Sequence, residues 1–79
     1  MKTIKLIDSN QHNENIAIRI KPDMFEYVIY DNIESVFDMD VLDQVIFKFY
    51  DGKVYPCYII SIEMKLDRYA TLILKEKTK

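Results

Sequence analysis

The tightest cluster of reactive side chains is a set of carboxylates, Asp38, Asp40 and Asp43 in the run DMDVLD. Carboxylates at this spacing can converge on a divalent cation, or one can attack phosphorus while its neighbour moves a proton. A calcium loop of the EF-hand type also needs a central glycine and a distal glutamate at set spacing, and DMDVLD is followed by neither. The other reactive groups stand alone. His12 is the only histidine and lies in a polar stretch, SNQHNE, with no cysteine nearby and no base-nucleophile spacing. Cys57 is the only cysteine, mid-strand, with no adjacent base to draw off its proton. A solvated acidic turn, a surface histidine and a packed thiol follow from this chemistry. No catalytic residue, no metal site and no cofactor are expected, and the chain is expected not to be an enzyme.

Phe37-Asp38-Met39-Asp40-Val41 resembles the DxDx(T/V) nucleophile motif of the haloacid dehalogenase-like phosphatases. The resemblance would make Asp38 the attacking group and Asp40 the acid and base. In that family the motif follows the first strand of a parallel α/β domain far larger than 79 residues, so the expectation of a non-enzyme stands.

Charge and aromatic content point instead to an interaction surface. Between Asp23 and Asp51 eight acids meet one base, a net −7, while the flanks carry +5 of the overall −2. Segregation of this kind steers charged partners if the segments occupy different faces. Six tyrosines and four phenylalanines exceed what a small core requires, and tyrosine offers stiff contact area with a polar tip. The expected role is a small protein-binding module, a regulator or inhibitor, acting through Asp23, Glu26, Tyr27, Tyr30, Asp31, Glu34, Asp38, Asp40 and Asp43. The competing expectation is a nucleic-acid-binding small β-barrel, with Lys48 and Lys53 on phosphates and Tyr50 and Tyr55 stacking on bases. The net negative charge disfavours it, since such affinity comes largely from neutralised phosphates.

These residues need a scaffold, and the stretch Gln44 to Ile62 supplies its centre. Asp51-Gly52 between alternating apolar runs is the signature of a two-residue type I′ hairpin, which needs φ > 0 at both central positions. That turn would set Val45, Phe47 and Phe49 opposite Tyr58, Pro56 and Val54 on the core face. The second face would carry Ile46, Lys48, Tyr50, Lys53, Tyr55, Cys57 and Ile59. Upstream, 2–8 and 15–21 alternate as strands of a first hairpin, with Ile16, Ile18 and Ile20 on one side and Ala17 and Arg19 on the other. From 23 to 37, Met24, Phe25, Val28, Ile29, Ile33, Val36 and Phe37 match one face of a helix starting near Pro22. The β-favouring run 25–30 offers the alternative of a strand, a turn at Asp31-Asn32 and another short strand. The last strand is 68–75, with Ala70, Leu72 and Leu74 inward; Pro56 directs its pairing to 59–62 or across a bulge.

The expected fold is one α+β domain over 1–79, a small twisted antiparallel sheet of about five strands with one helix near 23–37, curling toward a barrel. The alternative is an all-β small barrel. From Val45 to Leu74 the order of elements resembles the middle of Sm-like barrels, and DGKVYPCYIISI is similar to the hairpin of Tudor-like barrels. Both resemblances bear on fold alone, and Cys57 stands where the Sm pattern has glycine. A lone cysteine excludes an internal disulfide, and no secretory leader or apolar run near 18 residues is visible, so a soluble cytoplasmic protein is expected. Nine lysines against two arginines, with twelve isoleucines, suit an AT-rich coding region, as in low-GC bacteria and their phages. An open sheet edge would support a homodimer.

Overall fold

The computed structural model describes residues 3–5, 16–30, 33–65 and 68–77. His12 and Asp31 lie outside the described residues. The elements run β1 (Thr3–Lys5), β2 (Ile16–Lys21), β3 (Met24–Ile29), a 3₁₀ helix (Ile33–Asp38), β4 (Gln44–Lys48), β5 (Val54–Lys65) and β6 (Tyr69–Glu76). The strands form one sheet in the order β1-β4-β5-β6-β3-β2. Five of them, β4 to β2 across the sheet, are joined antiparallel, and β1 adds in parallel to β4. The expected first hairpin is therefore absent: β1 pairs with β4, and β2 pairs with β3.

The sheet is curled into a half-barrel. β3 and β4 are separated by two strands, roughly 14 Å apart in a flat sheet at 4.7–4.9 Å per strand. Yet the ring of Phe25 on β3 lies 5.1 Å from Phe47 on β4 and 4.9 Å from Tyr55 on β5, centroid to centroid. Tyr27 likewise meets Phe47 at 5.5 Å. Only strong curvature closes that gap, and the buried rings fill the concavity with edge-to-face contacts. Ile59, Leu72, Leu74, Val45 and Cys57 complete the core. Each such side chain contributes on the order of 1.5–3 kcal/mol on burial.

Residues 24–29 are strand, not helix. β6 offers six partners, Met24↔Lys75 through Ile29↔Ala70, and alternation places Phe25, Tyr27 and Ile29 inward against it. A helix here would bury one stripe; the strand buries every second residue against two neighbours, and the aromatic and β-branched content favours it. Among the described residues, helical backbone is confined to the 3₁₀ turns of Ile33–Asp38.

The central hairpin forms, but one residue out of the expected register. Gly52 N–H donates to Phe49 O (3.0 Å) and Phe49 N–H to Lys53 O (2.9 Å), enclosing a three-residue loop rather than two. Gly52 alone has positive φ there, 82°, as in a type I turn followed by a left-handed residue. The pairs become Val45↔Cys57, Ile46↔Pro56 and Phe47↔Tyr55. Since side chains alternate, this single step turns Tyr55, Cys57 and Ile59 into the core and puts Pro56 and Val54 outside. β6 pairs with β5 from Cys57 onward, beyond Pro56, across a bulge between Ile59 and Ser61. Ala70, Leu72 and Leu74 point inward, as their alternation requires.

Candidate functional site

The segment joining β3 to β4 carries the most conspicuous surface. A 3₁₀ helix repeats every three residues, so Ile33, Val36 and Met39 stack on one face while Glu34, Phe37 and Asp40 stack on another. Val36 and Met39 are buried and Ile33 packs on the core. Phe37 is consequently turned out, 75% exposed, beside the exposed Glu34, Asp38 and Asp40. With Ile33, Glu34 and Met64 it lines a shallow pocket.

A tight turn, Asp40 to Asp43, follows. Asp43 N–H donates to Asp40 O (3.1 Å), and Asp40 N–H donates back to Asp43 Oδ2 (2.9 Å). Leu42 sits at φ 77°, in the left-handed region that a type II turn reserves for glycine or asparagine. Its N–H donates to Ile59 O (2.8 Å), and Ile59 N–H donates to Asp43 O (3.0 Å), so β5 holds the turn from both sides. Val41 and Leu42 are left 52% and 57% exposed.

The residues expected to bind a partner are thus divided. Glu34, Asp38 and Asp40 share the exposed segment. Asp43 does not: it is buried, its carboxylate committed to the turn. Tyr27 is fully buried against Phe47, because strand alternation puts it inward with Phe25 and Ile29. Tyr30 is exposed, its ring tilted against that of Tyr69 with centroids 5.6 Å apart. Asp23 and Glu26 are half-buried on β3 and its entry, Asp23 O accepting from Glu76 N–H (2.7 Å). Phe37, Val41 and Leu42 were not singled out as contact residues by the sequence; α-helical spacing sets Phe37 inward with Ile33, and only the three-residue period exposes it.

The expected nucleic-acid face is also split. Lys48, Tyr50 and Lys53 are exposed, the Tyr50 ring tilted against Phe49 with centroids 5.3 Å apart. Tyr55 is turned inward by the register, and its hydroxyl donates to Asp51 Oδ2 (2.5 Å) while accepting from Arg19 Nη2 (2.9 Å). The Arg19 guanidinium caps the aromatic cluster, 4.7 Å from the Phe25 ring centroid and 5.3 Å from that of Tyr55, and lies 3.9 Å from Asp51. Arg19 also donates to Pro22 O. Arg19, Tyr55 and Asp51 therefore tie β2 to the β4–β5 hairpin across the mouth of the half-barrel. The Tyr55 hydroxyl and then the Lys53 N–H hold the Asp51 carboxyl below its ordinary 3.8, and the Asp51 carboxylate in turn raises Tyr55.

Cys57 faces the core, and burial, followed by the nearby Glu76 charge, pushes its thiol up to about 12. Among the described residues no group of three or more His, Cys, Asp and Glu side chains is arranged to hold a metal, and no helix is long and apolar enough to cross a membrane. Comparison with protein-family models, with curated proteins and with solved structures finds no match to this chain.

Proposed function

We propose that this chain is a non-enzymatic protein-binding module, a small regulator or inhibitor, that docks a basic partner through residues 33–42. The observation that carries the reading is Phe37, a 75% exposed aromatic set between the exposed acids Glu34, Asp38 and Asp40. Large aromatic side chains in a charged rim supply the apolar contact area of an interface, and the rim selects the partner's sign and speeds its approach. Leu42 supports the same reading. A bulky residue held at positive φ with its side chain in solvent costs stability, and such strain concentrates at surfaces kept for function. The matching partner presents an apolar patch flanked by lysine or arginine.

The test is affinity capture from bacterial lysate with the wild-type chain and with Phe37→Ser and Asp38→Asn/Asp40→Asn variants. A protein retained by wild type, lost with Phe37→Ser and released from wild type by moderate salt is the expected result. Recovery of the same proteins by all three baits, or of none even at low salt, would overturn the proposal.

A further inference from the structure

We infer that two copies of this chain associate through β2, the two strands running antiparallel about a two-fold axis at Ile18 and joining the half-barrels into one continuous sheet. β2 is the terminal strand of the sheet and pairs with β3 along one edge only; among the described residues its other edge has no strand partner. A terminal strand presents a row of N–H and C=O groups, a template for another strand unless it is very short, bulged along its length, interrupted by proline, studded with lysine or marked by an unpaired inward charge. β2 runs Ile16–Lys21, IAIRIK, with no proline and its only lysine at the end; its bulge lies between Arg19 and Lys21, leaving Ile16 to Arg19 in regular register with β3, and the inward charge of Arg19 is paired with Asp51.

Its outward side chains are also those a strand pair would use. Ile16, Ile18 and Ile20 are 40%, 47% and 46% exposed, while Ala17 is buried on the inner face. The adjoining outer face offers little further cover: Ile18 is paired with Glu26, which is paired in turn with Ile73.

The second copy is the occupant because the strand is complementary to itself in one register. Centred on Ile18, the pairing sets Ile18 against Ile18 within the regular stretch and brings each Ile16 to the bulged end at Ile20, so the isoleucines of the two strands meet one another. Ala17 then faces Arg19. Centring on Arg19 would instead oppose the two arginines and set Ala17 against Lys21, and centring on Ala17 would set Ile20 against Glu14. Arg19 adds no repulsion in the favoured register, since its guanidinium is turned inward onto Tyr55, Asp51 and Pro22 O. A self-matching patch of this kind gives a closed two-fold dimer rather than an open array. Two six-residue strands bury less than the roughly 800 Å² per partner of a standard interface, so the association is concentration-dependent. β2 shares no residue with 33–42, and the dimer stands or falls independently of the proposed partner surface.

Sedimentation equilibrium of the full chain from low micromolar to millimolar concentration tests this, with Ile18→Lys and Ile18→Cys alongside. Wild type is expected to pass from monomer to dimer mass, and Ile18→Lys to remain monomeric with an unchanged circular dichroism spectrum. Ile18→Cys should close a disulfide across the two-fold under mild oxidation. Ile60→Cys, comparably exposed but on β5, should not; native Cys57 is buried and does not compete. Monomer mass for wild type throughout, a dimer that survives Ile18→Lys, or equal cross-linking of the two cysteine variants would overturn the inference.

Discussion

Replacing Leu42 by glycine and, separately, by alanine isolates the strain in the Asp40–Asp43 turn. Both substitutions remove the same largely exposed side chain, so lost burial nearly cancels between them. What remains is backbone. Alanine keeps the left-handed cost of an L residue, roughly 1–2 kcal/mol, which glycine escapes. Glycine in turn loses about 0.5–1 kcal/mol more unfolded-state entropy than alanine. The balance makes Leu42→Gly more stable than Leu42→Ala by up to about 1.5 kcal/mol, centred on ~0.75, the reverse of the order at an ordinary strand or helix position. For a chain of this size the central value is a melting-temperature difference of about 3–6 °C. Thermal and urea melts followed by circular dichroism read it directly. If Leu42→Ala equals or exceeds Leu42→Gly, the turn is not strained, and the support it lends to the partner surface is withdrawn. Both variants should also weaken capture of the partner, whatever their stability.

Asp51 yields a pH prediction. Its folded pKa lies below the ordinary 3.8, so the stability it contributes is fully present above that value and is lost as pH falls through the lower folded value. Tyr55→Phe keeps the ring and removes the largest cause, so the Asp51 midpoint followed by NMR should rise toward 3.8 and the acid loss of stability should flatten; an unmoved midpoint would refute the assignment. Cys57, with its thiol pushed up to about 12 and its side chain in the core, should resist a disulfide-exchange reagent at mildly alkaline pH in the native protein and react once in denaturant. Rapid native labelling would show that the core opens around β5.

Much of the architecture is legible from residue alternation alone. Ala70, Leu72 and Leu74 on β6, the pairing of β6 beyond Pro56, and the separation of Ala17 and Arg19 from the isoleucines of β2 all follow from a two-residue period and from a proline that cannot donate. The curled antiparallel sheet follows from the same strands. Besides the pairing of β1 with β4 in place of β2, three features depended on tertiary context. Residues 24–29 satisfy a helical and a strand pattern, and β6 decided between them by offering a partner to every residue from Met24 to Ile29. The segment 33–38 took a three-residue rather than a 3.6-residue period, because Ile33, Val36 and Met39 together reach the core; this exposed Phe37. The hairpin register was the third. Asp51-Gly52 suits both a two-residue loop with two positive φ values and a three-residue loop with one, and local sequence does not distinguish them. The choice rests on which face of β5 completes the aromatic core around Phe25 and Phe47, and one residue of slip moved Tyr55 from a supposed binding face to the interior.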